Sequence, residues 1–156
     1  MTTVDFAATS VDPSAPEALA LVGAMEDEIE ALYADRAGSI HSVGAGPQVM
    51  GPPGGAFIVL RADDRAVAAG GLKRIGAEVC EIKRMYVVPD ARGCGLARGL
   101  LEALEGRARE LGYEIARLDT GDRQPAAKHL YESAGYRSIP DYNGNTMASY
   151  WFEKEL

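Results

Sequence analysis

The sequence predicts an α/β fold in a single domain that spans residues 1–156. Three observations support this fold class. Strand-like segments at 56–61, 66–75 and 79–88 follow one another, with short turns between them. A glycine-rich turn then leads into a long amphipathic helix. A second strand, turn and helix occupy residues 115–134, and this alternation is typical of a sheet that is covered by helices.

The composition argues against several classes of function. The chain has 156 residues, 47% hydrophobic and 25% charged, which is ordinary for one globular domain. Its formal net charge of −7 argues against general nucleic-acid binding and slightly favours a cationic substrate such as an amine. No apolar run is long enough to cross a membrane, and the first residues lack a signal-peptide pattern. Cys80 and Cys94 form no metal or disulfide motif, which suits a reducing cytoplasm.

The first third of the chain predicts a strand, a helix and a loop. Residues 2–9 have the pattern of a short edge strand. Asp12 is a suitable N-cap and Pro13 a suitable first residue for the helix that follows. Residues 36–55 are so rich in glycine and proline that we expect a loop with at most a short helical turn. The apolar side of the helix repeats every three or four residues and comprises Ala18, Leu19, Val22, Met25, Ile29, Leu32 and Tyr33.

The segment 79–88 is the predicted central strand. Side chains alternate along a strand, so Glu81 and Lys83 would lie on one face and Arg84 on the other. Both faces would then mix apolar and charged groups. Because charges are rarely buried without partners, this pattern predicts either ion pairs with neighbouring strands or a functional role.

The turn between Arg92 and Arg98 predicts an anion-binding site. A glycine-rich turn that begins a helix leaves the first backbone N–H groups unpaired, and the helix dipole adds positive charge there. The turn is not a P-loop, because Leu96 and Ala97 follow Gly95 where lysine and serine or threonine are needed. It is not a Rossmann fingerprint either, because Arg98 stands where the third glycine belongs.

Two blocks of the sequence resemble the GNAT superfamily, the GCN5-related N-acetyltransferases. Arg92-x-x-Gly95-x-Ala97 matches the signature R/Q-x-x-G-x-G/A of that family. The segment 118–136 resembles its other characteristic block, which ends in A-x-x-L-Y-x-x-x-G-F/Y. The residues that fill this second pattern are Ala127, Leu130, Tyr131, Gly135 and Tyr136. The two blocks occur in the right order and at the right separation, which makes the pair far more specific than either alone.

The resemblance implies a mixed, mostly antiparallel sheet flanked by helices. It also implies direct transfer of an acetyl group from acetyl-CoA to a primary amine of a small molecule or peptide, with no metal. The turn would bind the pyrophosphate, and the central strand would pair with the pantetheine arm. The cofactor contacts implied in this way are Met85, Tyr86, Val87, Arg92, Gly93, Cys94, Gly95, Leu96, Ala97, Arg98, Gln124 and Tyr131.

Two residues carry the chemistry that the resemblance implies. Glu81 stands at the family's spacing before the signature for a general base, with Glu78 and Asp119 as alternatives. Tyr131 matches the usual general acid, and its alternative role is that of a core aromatic. His129 precedes Tyr131 by two residues on the predicted helix, and we expect it to face solvent.

The acceptor is less well defined by the sequence than the cofactor. Drugs, polyamines, amino acids and protein N-termini all remain candidates, and the loop at 36–55 would cover the acceptor site. Two other functions also remain, a non-catalytic acyl-CoA-binding module and an N-acyltransferase that uses a different acyl-CoA. The resemblance allows a homodimer, for which the sequence identifies no interface. The candidate acceptor contacts are Glu26, Glu30, Tyr33, Asp119 and Asn143.

Overall fold

A seven-stranded mixed sheet forms the centre of the computed structural model, which describes residues 4–36 and 46–156. The strands are β1 (Ala7–Val11), β2 (Ala56–Ala62), β3 (Arg65–Arg74), β4 (Val79–Val87), β5 (Ile115–Thr120), β6 (Arg137–Ile139) and β7 (Tyr150–Glu155). The helices are α1 (Pro16–Leu32), α2 (Leu96–Glu110) and α3 (Pro125–Ser133). The strand order is β1-β2-β3-β4-β5-β7-β6, and the β4–β5 pair alone is parallel among these neighbours. The predicted mixed, mostly antiparallel sheet is therefore confirmed.

Helices cover both faces of the sheet. On one face, α2 buries Leu96, Leu100, Leu101 and Leu104, and Tyr131 of α3 joins the same core cluster. On the other face, α1 packs through Ala18, Leu21 and Met25. Because both faces of the central strands are buried, β2 and β3 consist almost entirely of apolar or small residues between their polar ends.

The start and the buried side of α1 differ from the prediction. The helix begins at Pro16 with Ala15 as its N-cap, so the Asp12-Pro13 start is wrong. The Asp12 carboxylate instead accepts a hydrogen bond from the backbone N–H of Ser14, at 2.8 Å, within the preceding turn. Leu19 and Leu32 are exposed rather than buried, and Leu21, which the predicted apolar side did not include, is buried against the sheet instead.

Several other boundaries also differ. The first strand lies at Ala7–Val11 rather than at 2–9, and residues 1–3 lie outside the described part. The predicted loop at 36–55 includes a 3-10 turn at Pro47–Met50, whereas residues 37–45 are outside the described ranges. The sequence pattern of residues 146–155 predicts a final strand, but β7 begins only at Tyr150. The three-residue β6 was missed, because so short a segment has no measurable periodicity.

A β-bulge at Arg84 breaks the predicted alternation of β4. The backbone of Arg84 has a φ of 61°, in the left-handed region that side chains other than glycine rarely adopt. The pairing of β3 with β4 shifts register at this point. Ile82 before the bulge and Met85 after it therefore face the same α2 side of the sheet, so the strict alternation predicted for the segment 79–88 is wrong beyond Lys83.

After Glu81, β4 and β5 separate. The two strands pair in parallel at Val79, Cys80 and Glu81, and no further pair is present among the described residues. The second half of β4 therefore exposes one edge of its backbone toward an opening in the middle of the sheet. The functional site lies at this opening.

A buried carboxylate holds α2 to the last strands. Glu105 is 4% exposed and accepts hydrogen bonds from the Tyr136 hydroxyl at 2.8 Å and from Lys154 Nζ at 3.1 Å. Burial, followed by the charge of Glu105, raises the pKa of Tyr136. The interaction of the neutral Tyr136 hydroxyl with Glu105 therefore stabilises the fold in a pH-dependent way. The stabilisation is fully present below the unfolded-state tyrosine pKa of about 10, and it is lost as the pH rises toward the higher pKa of the folded state.

We expect Tyr136→Phe to destabilise the protein by about 1–3 kcal/mol, because Glu105 loses a buried donor. We also expect a shallower loss of stability above about pH 10 than in the parent protein. Urea unfolding between neutral and alkaline pH measures both effects. Tyr150→Phe is the matched control, because the Tyr150 hydroxyl makes no hydrogen bond within the described residues. Equal stabilities of the two variants would contradict the expectation.

Candidate active site

The glycine turn before α2 presents free backbone N–H groups. Gly93 and Gly95 have φ values of 80° and 82°, and Gly95 is the N-cap of the helix. Side chains are unfavourable at these φ values, which explains the two glycines. Within the part of the chain that the structure describes, the amides of residues 93–98 donate no hydrogen bond to the protein. Together with the helix dipole, they form an anion-binding end of α2.

A cavity of about 430 Å³ extends from this turn to α3, and we call it the turn cavity. The backbone of the second half of β4 forms one wall and apolar residues of α3 form the opposite one. It is lined by Met85, Tyr86, Val87, Ala91, Arg92, Gly93, Gly95, Leu96, Ala97, Arg98, Leu100, Ala126, Ala127, Leu130 and Tyr131. An apolar channel that ends at an anion site fits a long ligand with a charged terminal group.

The two arginines of the turn contact other protein groups. Arg92 Nε donates to the Val87 carbonyl at 2.9 Å, and its guanidinium pairs with the Glu28 carboxylate at 2.8 Å. An Arg98 nitrogen donates to Ser133 Oγ at 2.5 Å. Both guanidinium groups therefore stand at the rim of the turn cavity, and an anion there would compete with Glu28 for Arg92.

A second, smaller cavity of about 170 Å³ lies on the α1 side of the same opening, and we call it the polar cavity. It brings together charged and amide side chains from β4, β5 and the loop before β7. Its lining comprises Met25, Ile29, Tyr33, Ile82, Lys83, Arg84, Met85, Asp119, Thr120, Gly121, Gln124, Ala127, Tyr131, Asn145, Met147 and Ala148.

The two cavities share three lining residues, Met85, Ala127 and Tyr131. The Tyr131 hydroxyl lies 3.8 Å from Met85 Sδ, and the Tyr131 ring packs against Phe152 with centroids 6.1 Å apart. Burial, followed by the charge of Asp119, raises the pKa of Tyr131, so its hydroxyl stays protonated at neutral pH. A neutral hydroxyl where two cavities meet can donate a proton or a hydrogen bond to a group that passes between them.

Glu81 lies behind the polar cavity rather than in its wall. The residue is 2% exposed, and its carboxylate accepts hydrogen bonds from the Tyr142 hydroxyl at 2.6 Å and from Asn143 Nδ2 at 3.1 Å. Lys83 and Lys73 approach its other oxygen at 3.5 and 3.7 Å. Glu81 lines neither cavity among the residues described. Lys73 lies on β3, so the ion pairing with a neighbouring strand, which the sequence left as one alternative, is confirmed.

Asp119 is the carboxylate that lines the polar cavity. Its oxygens accept hydrogen bonds from Asn143 Nδ2 at 2.6 Å and from Asn145 Nδ2 at 3.3 Å. Oδ2 accepts two of these bonds and Oδ1 accepts one. Each oxygen of a carboxylate can accept two hydrogen bonds, so Oδ1 retains capacity toward the cavity. Asn143 bridges Asp119 and Glu81, which couples the half-buried carboxylate in the cavity wall to the buried one.

The remaining predicted residues divide between the cavity and its surroundings. Tyr33 lines the polar cavity, and its hydroxyl accepts from the Arg123 amide at 3.2 Å. Gln124 also lines the polar cavity rather than the turn cavity. Glu26 pairs with Arg84 at 2.6 Å. The structure does not bring Glu26, Glu30, Asn143 or Cys94 into the lining of either cavity, and His129 is exposed as expected.

The lining residues that the sequence reasoning missed include Lys83, Arg84 and Gly121. Lys83 and Arg84 reach the polar cavity because the bulge turns this part of β4, and a local pattern gives no signal for a bulge. Gly121 packs directly against the Tyr33 hydroxyl, so that any side chain at this position would collide with it. The sequence signal for this close contact was the glycine itself, which directly follows the strand that ends at Thr120.

Among residues 4–36 and 46–156, no group of three or more histidine, cysteine, aspartate or glutamate side chains has the arrangement of a metal site. No helix in these ranges has the length and hydrophobicity that crossing a bilayer requires.

The mixed sheet, the open glycine turn and the split between β4 and β5 define an α/β fold in which an anion-binding turn and two adjoining cavities lie at one opening of the sheet. The chain belongs to the acetyltransferase (GNAT) family, whose sequence profile matches residues 24–136. No metal is part of the reaction that the family resemblance implied.

Characterised and uncharacterised N-acetyltransferases are similar to this chain in sequence. The uncharacterised N-acetyltransferase YjgM of Escherichia coli is 37% identical over 98 residues, which cover 61% of this chain and 58% of YjgM. An IAA acetyltransferase of Azospirillum brasilense is 36% identical over 70% of this chain and 73% of its own length. The first two curated relatives are matched over only 58% and 61% of their lengths.

Solved structures confirm the fold over nearly the whole chain. A Klebsiella pneumoniae protein assigned to the acyl-CoA N-acyltransferases has a TM-score of 0.77 and 28% identity, with 97% of both chains covered. The PaiA N-acetyltransferase of Thermoplasma acidophilum, solved in complex with coenzyme A, has a TM-score of 0.72 and 16% identity, covering 98% of this chain and 100% of its own. At that identity, the second similarity concerns the fold alone.

Proposed function

We propose that this protein is an N-acetyltransferase that transfers the acetyl group of acetyl-CoA directly to a primary amine. The observation that carries the proposal is the meeting of the turn cavity and the polar cavity at Tyr131 and Met85. Two substrates bound in adjacent cavities react as one complex, which removes much of the entropic barrier to a bimolecular reaction. The relatives named as acetyltransferases support the same activity.

The turn cavity is the proposed acetyl-CoA site. The free amides of residues 93–98 would bind the pyrophosphate. Arg92 would release the Glu28 carboxylate and bind the pyrophosphate in its place. The free edge of β4 at Met85, Tyr86 and Val87 would pair with the pantetheine arm, as an added strand does. Acetyl-CoA supplies an activated acetyl thioester, and backbone N–H groups of this edge would polarise its carbonyl.

Asp119 is the proposed base and Tyr131 the proposed acid. An amine is mostly protonated at neutral pH and must lose a proton before it attacks, and Asp119 stands in the cavity wall to receive it. As the new N–C bond forms and the C–S bond breaks, Tyr131 would give its proton to the departing sulfur. The nitrogen loses its second proton as the amide forms, and that proton would restore the Tyr131 hydroxyl, while Asp119 would release its own proton to solvent. The geometry favours Asp119 over Glu81, because the Glu81 carboxylate faces four protein groups and no cavity.

Thiol release measures the proposed activity. We expect acetyl-CoA to be consumed in the presence of an amine acceptor, with the parent protein screened against amino acids, polyamines, aminoglycosides and peptides. Propionyl- and succinyl-CoA are the comparison for a different acyl donor. Binding of acetyl-CoA by calorimetry, with no thiol released in the presence of any amine, would instead indicate a non-catalytic acyl-CoA-binding module.

The two free cysteines, one of them buried, support a reducing compartment such as the cytoplasm.

We expect Gly95→Ala to weaken coenzyme A binding by about 10- to 100-fold, equivalent to about 1.4–2.8 kcal/mol. The added methyl group would point into the space in front of the turn, where the structure has no protein atom within 4 Å, and the φ of 82° would become strained. Calorimetry with coenzyme A measures the change in Kd.

Gly112→Ala is the matched control for Gly95→Ala. Gly112 has a φ of 92° at the end of α2, also with no protein atom within 4 Å, but it lies away from both cavities. Both variants should lose a similar amount of stability, about 1–2 kcal/mol. The turn is not the anion site if the two variants bind coenzyme A equally well.

A further inference from the structure

The charges around the polar cavity do not suit a purely cationic acceptor. Three charged groups line it, the cations Lys83 and Arg84 and the anion Asp119. Arg84 pairs with Glu26 at 2.6 Å, so its charge is balanced locally. The net charge of the whole chain, −7, suggested a cationic substrate, but the charges in contact with a ligand are those of the cavity.

Lys83 brings an ammonium group with unused donors to the polar cavity. Its side chain is 12% exposed, and its Nζ lies 3.5 Å from Glu81 Oε1. Lys73 approaches the same oxygen at 3.7 Å, so the Glu81 carboxylate has two cationic neighbours. Among the described residues, the Lys83 ammonium group donates no hydrogen bond, although it has three donors. A half-buried ammonium group in the wall of a cavity can donate charge-assisted hydrogen bonds to an anionic group of a ligand.

Lys83 and Asp119 face each other across the opening between β4 and β5. The parallel register pairs Val79 with Ile115 and Glu81 with Arg117, and the same offset places Lys83 level with Asp119. No ion pair joins the two side chains among the described residues, although both line the polar cavity. The cavity therefore has a positive end on one strand and a negative end on the other.

Resting on the proposed function above, we propose that the acceptor is a small amino acid-like zwitterion rather than a simple amine or polyamine. Its carboxylate would bind Lys83, and its ammonium group would bind Asp119 before giving up a proton there. The volume of about 170 Å³ favours a small molecule over an extended peptide. A charge-assisted hydrogen bond in a buried site is among the stronger polar contacts, so the carboxylate would contribute substantially to selectivity.

The test compares matched acceptors that differ only in this carboxylate. The pairs are glycine and glycinamide, β-alanine and β-alaninamide, and L-leucine and L-leucinamide, each assayed for thiol release with acetyl-CoA. We expect the carboxylate member of the best pair to have a kcat/KM about 10- to 100-fold higher than its amide. Lys83→Met should bring that ratio close to one, and Lys83→Arg should restore part of it.

Lys73→Met is the matched control, because Lys73 flanks the same Glu81 oxygen but does not line the cavity. It should destabilise the protein about as much as Lys83→Met and keep the preference for the carboxylate. Calorimetric titration of the amino acid into the coenzyme A complex gives a second readout that is independent of turnover. Binding there should weaken in Lys83→Met and not in Lys73→Met.

Several results would overturn this inference while leaving the acetyltransferase activity intact. One is acetylation of the amides, or of polyamines, as efficiently as of the amino acids. Another is an equal fall in the carboxylate preference in Lys83→Met and Lys73→Met. Absence of turnover with every amino acid pair also overturns it, whereas the proposed activity itself fails only if no amine of the wider panel releases thiol.

Discussion

Replacement of Tyr131 by phenylalanine should lower kcat by about 10²- to 10⁴-fold, which is the usual contribution of a positioned general acid. The phenyl ring keeps the packing against Tyr136 and Phe152, where the ring centroids are 6.0 and 6.1 Å away. Only the hydroxyl that stands between the two cavities is lost. We therefore expect the KM for acetyl-CoA and the thermal stability to change little. Steady-state kinetics and thermal melting measure these quantities.

Tyr136→Phe is the control for this experiment. Tyr136 packs against the same ring but lines neither cavity, and its hydroxyl serves the buried Glu105 instead. The two variants should thus show opposite behaviour, with kcat reduced in one and stability reduced in the other. Full activity of Tyr131→Phe across a panel of acceptors would leave Tyr131 as a core aromatic with no part in proton transfer.

Replacement of Asp119 by asparagine should lower kcat/KM by about 10²- to 10⁴-fold at neutral pH, because the variant cannot receive the proton of the ammonium group. Asparagine has nearly the same shape and retains one oxygen that can accept from Asn143 or Asn145. The loss should shrink as the pH rises toward the pKa of the acceptor, because more of the acceptor is then already deprotonated. A pH profile of kcat/KM for parent and variant measures this convergence.

Glu81→Gln distinguishes the two candidate bases. Glu81 is surrounded by Tyr142, Asn143 and two lysines, so its neutralisation should mainly reduce stability, by about 3–5 kcal/mol for a broken buried ion pair. We expect its kcat at saturating substrates to stay within about tenfold of the parent value, corresponding to about 1.4 kcal/mol. Glu81 is the base if Glu81→Gln loses activity at neutral pH and approaches the parent activity as the pH rises, while Asp119→Asn keeps the parent activity.

The hairpin, the turn and the two later helices were predictable because their signals are local. Asp63 and Asp64 have φ values of 51° and 63°, which a two-residue hairpin turn requires and which aspartate tolerates. The glycines of the turn and Pro125 at the start of α3 are equally local. The start of α1 was ambiguous, because Pro13 and Pro16 are both suitable first residues and packing decides between them.

The sequence by itself determined the α/β fold, the open turn before α2, and the position of Tyr131 on α3. Each depends on residues close together in the chain, where backbone preferences and hydrophobic spacing act directly. The tertiary structure alone decided which carboxylate meets the polar cavity. The bulge at Arg84 and the separation of β4 from β5 place Asp119 in its wall and Glu81 behind it. These features depend on pairing between distant strands, and no single segment of the chain encodes them.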